Sequence, residues 1–180
     1  SLRDSNGYFY PMVWPNKNYP GQSIKENKWT IADVEKEFRA QIELGLKLIP
    51  RVSHLSAHMG CTGLSDEVKA LTLRLAKEYN VDPEADYAKY PLTFGFGDAK
   101  TSEQRIEKFI DMLRKMEPGK TYIFLDHPGI NNDELQAIWH IGYENVNTDR
   151  QSVTDVLTSE KVKAFIKEKG VQLIALKDLE

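Results

Sequence analysis

Short apolar runs alternate with amphipathic helices along this 180-residue chain, and this alternation limits the folds open to it. The clearest run is Tyr122–Leu125, which is rich in strand formers and is cut off by the turn residues "HPG". A run of this kind suits a strand buried on both faces. We predict further short strands at 52–55, around Phe94 and Phe96, and in "VQLIAL" near the C-terminus.

Stripes of apolar residues at helical spacing predict helices between these runs. Because helices alternate with short buried strands, we predict an α/β fold with a parallel sheet or barrel. Three or four strands are few for this many helices, so we expect part of the sheet to lie outside the chain. The residues expected to begin or cap the five helices are Thr30, Ser65, Thr101, Asn132 and Ser159.

Composition excludes several classes of function. The net charge of −3 does not indicate the basic surface that binding to nucleic acid or to an anionic membrane requires, so neither is an expected partner. A single cysteine, Cys61, cannot form an internal disulfide. No apolar run of about 18 residues and no signal peptide is visible. We expect one soluble domain spanning 1–180, cytoplasmic or exported with its signal removed.

The stretch "RVSHLSAHMG" contains His54 and His58, two of only four histidines. Residues four apart share a face of a strand and lie one turn apart on a helix, so both imidazoles could address one point. A metal site also needs a carboxylate or a third imidazole. The spacing alone leaves two interpretations open, half of a metal site or two ordinary hydrogen-bonded histidines.

A second candidate site is "FLDHPG", where Asp126 and His127 follow an apolar run. Catalytic groups of α/β folds gather at the carboxyl ends of strands, which favours a functional role. The alternative for His127 is a turn residue that bonds a backbone carbonyl. His140, late on a short predicted helix, is expected to be structural, and Cys61 a small buried hydrophobe.

The first 29 residues combine turn formers with aromatics that include Trp14. This composition predicts a loop. Its rings either pin the loop to the protein surface or contact a sugar.

Four segments, in the same order, resemble the YdjC-like carbohydrate deacetylases. The segment "EKEFRAQIELGLKLIPRVSHLSAHMG" resembles the family's E-x-x-x-Q-I helix leading into T-H-x-D-S-H. The segment "SLRDSNGYFYP" resembles the loop ahead of that helix, and "FLDHPG" resembles the family's C-H-P strand end. The C-terminal segment "TDRQSVTDVLTSEKVKAFIKEKGVQLIAL" resembles its closing R-x-x-E-L-x-x-L region.

The resemblance implies a partial or distorted (β/α) barrel of the glycoside hydrolase/deacetylase type. It implies a divalent metal, Mg²⁺ or Zn²⁺, held by one aspartate and two histidines, and hydrolysis of N-acetyl groups on small sugars such as chitooligosaccharides. Carried over position by position, His58 is the metal ligand and His54 its neighbour. His127 is expected in the pocket as the catalytic acid, with Asp126 beside it.

Two departures from the family pattern qualify these expectations. The family's D-S pair before the ligand histidine is Ser56-Ala57 here, so a supporting carboxylate is lost. The family's aspartate pair and G-x-H segment, which supply the other metal ligands and the base, would precede Ser1. We therefore expect the chain to be the C-terminal portion of a longer deacetylase barrel.

The expected activity is that of a metal-dependent amide hydrolase when the protein is full length, with a small acetylated sugar as ligand and a homodimer as one open assembly state. The alternative is a catalytically inactive sugar-binding or assembly module, because two expected metal ligands are absent. A metal phosphoesterase would need further carboxylates or basic residues near the histidines, and Asp126 alone does not indicate such a site.

Overall fold

The computed structural model describes residues 1–179, which contain six α-helices and two β-strands. The strands are β1 (Leu92–Phe94) and β2 (Ile123–Leu125). Short 3₁₀ segments lie at Ile24–Glu26, His58–Leu64 and Leu176–Asp178. The helices are α1 (Ile31–Leu48), α2 (Asp66–Glu78), α3 (Ser102–Arg114), α4 (Asp133–Gln136), α5 (Val146–Thr158) and α6 (Glu160–Lys169).

The chain divides into two compact units. The first unit comprises Ser1–Ala85 with the residues from Ala175 onward, and the second comprises Asp86–Ile174. The prediction of a single domain over 1–180 stays a prediction. No helix in the described range has the length and apolar character that crossing a bilayer requires.

The first unit is built from α1 and α2, which pack against each other. Thr30 begins α1 as predicted, because its side chain accepts a hydrogen bond from the Asp33 N–H, and Ser65 caps α2 in the same way. The apolar stripes of both helices meet the N-terminal segment in one core. Its buried members are Leu2, Val13, Val34, Leu64, Val68, Leu71 and Leu75.

An ion-pair network joins α1 to α2 beside this core. The Glu35 carboxylate accepts hydrogen bonds from Arg39 on its own helix (2.9 Å) and from Arg74 on α2 (2.8 Å). Arg39 also binds Glu78 of α2 through Nη2 at 2.8 Å. The bonds from Arg74 and Arg39 lower the pKa of Glu35 to about 2.

This lowered pKa predicts an acid-sensitive contribution to stability. Glu35 binds a proton less readily in the folded chain than in the unfolded chain, where its pKa is near 4.5. Its stabilising effect is therefore present above pH 4.5 and is lost as the pH falls towards 2. We expect Glu35→Gln to flatten the melting temperature against pH over this window. Thermal melts at a series of pH values test this, and parallel curves for both proteins would contradict it.

The second unit contains the sheet. Strands β1 and β2 pair in parallel, with Leu92 opposite Ile123 and Phe94 opposite Leu125. Helices α3, α5 and α6 pack together beside them. Phe96, Phe109 and Phe124 form an aromatic cluster, with 4.8 Å between the Phe109 and Phe124 ring centroids. The core also contains Ala99, Ile110, Leu113, Val153, Val156 and Val162.

The strand predicted around Phe94 and Phe96 ends earlier than expected, at Phe94. Gly95 has a φ of +69°, a left-handed conformation that breaks the extended backbone. The turn sends Phe96 into the core at 7% exposure, whereas Phe94 stays 74% exposed. A single glycine thus separates a surface ring from a core ring.

The other strand predictions had mixed outcomes. The run at Tyr122–Leu125 forms β2. Leu125 is 42% exposed, so the prediction that this strand is buried on both faces was wrong. The predicted strand at 52–55 reduces to one parallel bridge between His54 and Asp82. The pairing does not propagate because the Ala57 N–H is bound by the Glu84 side chain, 3.4 Å away, and not by a backbone carbonyl.

The predicted C-terminal strand "VQLIAL" was wrong. In the described part of the chain it pairs with no strand, and Leu173 is 77% exposed. Helix α5 was missed because it is rich in Thr, Val and Asp, which favour helices weakly. The α/β class with a parallel sheet is confirmed as a helix-rich fold with a small sheet.

Candidate functional site

His54 and His58 do not share one regular element. His54 lies in the bridge to Asp82, and its ring Nδ1 is 2.9 Å from the Ser53 hydroxyl, a hydrogen-bond distance. His58 begins the 3₁₀ segment and is exposed. The prediction that both imidazoles point the same way assumed a regular strand or helix, so it does not apply here. The directions of the two rings depend on the conformation of the loop instead.

That loop is held in an uncommon conformation just after His58. Met59 (φ 53°) and Gly60 (φ 63°) are both left-handed. For a non-glycine residue such as Met59, this conformation costs about 1–2 kcal/mol. The Met59 side chain is 42% exposed, so burial of that side chain does not offset the cost fully. Other contacts must stabilise the turn.

Two side chains from distant parts of the first unit bind this loop. The Trp14 indole N–H donates a hydrogen bond to the Met59 carbonyl oxygen at 2.7 Å. The Glu84 carboxylate accepts hydrogen bonds from the Thr62 hydroxyl (3.1 Å) and from the Ala57 N–H (3.4 Å). Of the two interpretations of the N-terminal aromatics, this contact shows Trp14 pinning the N-terminal loop to the protein.

Cys61 lies in the same loop and is half-buried. Burial, followed by the charge of Glu84, raises the pKa of its thiol. The group therefore stays protonated near neutral pH and is a poor nucleophile. Cys61 was predicted to be a small buried hydrophobe, and the structure buries it only in part.

Asp126 and His127 follow β2 directly in the second unit. The Asp126 carboxylate accepts a hydrogen bond from the His127 backbone N–H (2.8 Å), and its Oδ1 is 4.0 Å from His127 Nδ1. The Asp126 side chain is 16% exposed, whereas that of His127 is 58% exposed. The pair thus presents a solvent-accessible imidazole beside a largely buried carboxylate, at a separation longer than a direct hydrogen bond.

Helix α5 anchors the turn that follows His127. The Gly129 N–H donates to the Arg150 carbonyl (3.1 Å), and the Thr154 hydroxyl donates to the Gly129 carbonyl (2.9 Å). A Cβ added at Gly129 would lie 2.9 Å from Leu135 Cδ2 and 3.2 Å from Arg150 Cβ. An alanine here would therefore displace the Leu135 side chain of α4 and press against Arg150 of α5.

We expect Gly129→Ala to lower the free energy of unfolding by about 1–3 kcal/mol, because the new methyl group overpacks the contacts with Leu135 of α4 and Arg150 of α5. Gly45→Ala is the matched control, since Gly45 lies within α1 and nothing is within 4 Å of its added Cβ. The control should raise stability by about 0.5–1 kcal/mol. Urea unfolding of both variants tests this, and equal effects would contradict the packing interpretation.

The described residues do not complete a metal site. Among residues 1–179, no group of three or more histidine, cysteine, aspartate or glutamate side chains is placed to hold a metal ion. His58 lies in the first unit and His127 in the second. One proposed ligand without two further ones does not fit a divalent ion.

Comparison with known proteins identifies the family. The pattern of the YdjC-like protein family matches residues 1–168. The chain belongs to the YdjC-like family. The resemblance found in the sequence motifs is thereby confirmed.

Individual relatives of this YdjC-like chain are distant. It is 27% identical to a carbohydrate deacetylase of Enterococcus faecalis (strain ATCC 700802 / V583), over 96% of this chain and 66% of that protein. It is 28% identical to a carbohydrate deacetylase of Clostridium beijerinckii (strain ATCC 51743 / NCIMB 8052), over 83% of this chain and 62% of that protein. The chain therefore spans 62–66% of the length of these curated relatives.

A solved structure shares the fold of this YdjC-like chain. It is a crystal structure of an Enterococcus faecalis V583 protein named for cellobiose-phosphate cleavage, with 25% identity and a TM-score of 0.68. The match covers 97% of this chain and 67% of that one.

Sequence reasoning missed Glu84 as part of the His58 loop. Glu84 lies in the long connection after α2, 22 residues beyond Thr62, and no periodicity links the two positions. No sequence motif marks the hydrogen bond from the Ala57 N–H to the Glu84 carboxylate. The bridge between His54 and Asp82 brings this connection beside the loop.

Proposed function

We propose that this protein is a carbohydrate deacetylase that removes N-acetyl groups from small sugars. The observation that carries the proposal is the family match over residues 1–168, together with two relatives named carbohydrate deacetylases. The chitooligosaccharide class of substrate is part of the proposal. It is what the resemblance of "SHLSAHMG" and "FLDHPG" to motifs of the family implies.

We also propose that the fold is a distorted (β/α) barrel. The parallel pairing of β1 with β2 supports this, because barrels of this kind are built from parallel strands. The TM-score of 0.68 to the Enterococcus faecalis structure supports it as well.

Carbohydrate deacetylases of this family generally depend on a divalent metal. His58 is the ligand we propose, since it is exposed and an imidazole nitrogen suits Zn²⁺ or a similar ion. One imidazole does not hold such an ion alone. The roles that follow are therefore those of side chains of the chain itself.

The reaction adds water across an amide bond. The C–N bond breaks, the acetyl group leaves as acetate, and the sugar keeps a protonated amine. An amine is a poor leaving group unless it is protonated as the bond breaks. We propose His127 as the acid that supplies this proton, because its ring is accessible, and Asp126 as the neighbouring carboxylate whose negative charge favours the protonated ring.

Acetate release tests the proposal. The protein is incubated with an N-acetylated chitooligosaccharide in the presence of Mg²⁺ or Zn²⁺, and a fully deacetylated chitooligosaccharide serves as the control. We expect acetate only from the acetylated sugar. Binding of that sugar by calorimetry without any acetate would contradict the enzyme and favour the sugar-binding module.

A further inference from the structure

The two residues that flank His58 are both bound by distant side chains. Glu84 accepts a hydrogen bond from the N–H of Ala57, immediately before His58 (3.4 Å). Trp14 donates to the carbonyl of Met59, immediately after His58 (2.7 Å). His58 itself is exposed, and the backbone that these contacts hold sets the direction in which its side chain leaves the loop.

Neighbouring residues hold Trp14 in position for its contact with Met59. Neighbouring Val13 is buried, and its carbonyl accepts a hydrogen bond from the Lys25 N–H (3.1 Å). The Lys25 ammonium lies over the Trp14 ring, 6.0 Å from its centroid, and donates to the Leu64 carbonyl (3.0 Å). The Trp14 ring also covers Gly63, whose added Cβ would lie 3.7 Å from Cζ2 of the indole.

The Glu84 contact is anchored separately. Asp82, two residues earlier, donates its N–H to the Ser53 carbonyl (2.8 Å) and accepts from the Leu55 N–H (2.8 Å). These bonds hold the Glu84 segment beside the chain that leads into His58. The carboxylate then spans the loop, from Ala57 before the left-handed turn to Thr62 after it.

We propose that Trp14 and Glu84 form a clamp that fixes the left-handed turn after His58 and thereby the orientation of the His58 imidazole. Both are positioning residues, since each acts on His58 through the backbone beside it. Each binds the backbone directly beside His58, and the exposed Met59 side chain contributes little anchoring. The catalytic consequence of the clamp rests on the deacetylase function proposed above, whereas its effect on His58 does not.

The test is an NMR measurement on the isotope-labelled full chain. Trp14→Phe removes the N–H donor and keeps an aromatic ring, and Glu84→Ala removes the acceptor. We expect each to speed hydrogen exchange at the Ala57 and Gly60 amides about tenfold, as expected for loss of one hydrogen bond. The χ1 coupling constants of His58 should also change from single-rotamer to averaged values.

Three further variants separate a clamp from general destabilisation. Glu84→Gln keeps an acceptor oxygen and should retain the protection of the loop, while Trp139→Phe, at an exposed ring in the other unit, should change nothing in it. Thr62→Val tests the Glu84 contact if Glu84→Ala fails to fold, and it should speed exchange at Gly60. Unchanged His58 couplings in Trp14→Phe and in either Glu84→Ala or Thr62→Val would overturn the clamp. Faster exchange throughout the first unit would overturn it equally.

The enzyme assay then distinguishes the two proposals. If wild-type protein releases acetate, kcat should fall in Trp14→Phe while KM changes less, because the clamp orients a group and does not bind sugar. If wild-type protein releases none, the deacetylase proposal fails, and the His58 couplings still decide the clamp.

Discussion

Leu75→Ala is expected to lower the free energy of unfolding by about 2–5 kcal/mol. Leu75 is fully buried in α2 (0% exposed), in the core where the two helices meet the N-terminal segment. Alanine removes apolar contacts and leaves a cavity that the surrounding side chains fill only in part. Urea unfolding followed by circular dichroism measures the change directly.

The same helix supplies the control for this substitution. Leu73 lies two residues earlier and is 52% exposed, so Leu73→Ala makes the same chemical change outside the core. We expect an effect within about 0.5 kcal/mol. Comparable losses in both variants would contradict the assignment of this core.

The second large effect is on catalysis. His127→Ala is expected to lower kcat for acetate release by about 10²–10⁴-fold, the range for loss of a general acid. The ring is exposed beside the buried Asp126 carboxylate, so its removal should change the folding stability little. Steady-state kinetics on an N-acetylated sugar, with thermal melts of the same samples, measure both quantities.

The leaving group distinguishes an acid from a merely nearby ring. An N-acetyl arylamine, whose amine is a weak base, needs less protonation as the C–N bond breaks. The loss caused by His127→Ala should therefore be smaller on that substrate. His140→Ala, at a ring that meets Tyr143 edge-to-face, should stay within about twofold of wild type. Equal losses on both substrates would contradict the acid role.

The helices with clear caps could be predicted from the sequence. Ser159 and Thr101 accept hydrogen bonds from N–H groups in the first turns of α6 and α3, as their positions before apolar stripes indicated. Helix α5 could not be found this way. Its buried residues are Val146, Ser152, Val153 and Val156, and this set includes a polar residue that breaks the apolar stripe.

The strands were predicted less well because a strand depends on its partner. The run before Asp126 pairs with β1 and forms β2, whereas "VQLIAL" has a similar composition and pairs with nothing in residues 1–179. Composition indicates that a segment can form a strand. Only tertiary structure shows whether a neighbour lies at its edge.

The candidate site was predictable only where its residues are neighbours in sequence. Asp126 and His127 are adjacent, and the structure keeps them at an ion-pair distance. The contacts of Trp14 and Glu84 with the His58 loop join residues 22 to 45 positions apart. Such pairs leave no periodic pattern for sequence reasoning to detect.

The most direct test of the central claim is a paired count of products from one reaction. Acetate and newly formed amino groups are quantified together after incubation of the protein with an N-acetylated chitooligosaccharide and a divalent metal. A sugar N-deacetylase must release one acetate for each new amine, and this equality is the result we predict. Sugar binding with neither product, or acetate without a matching amine, would contradict the claim.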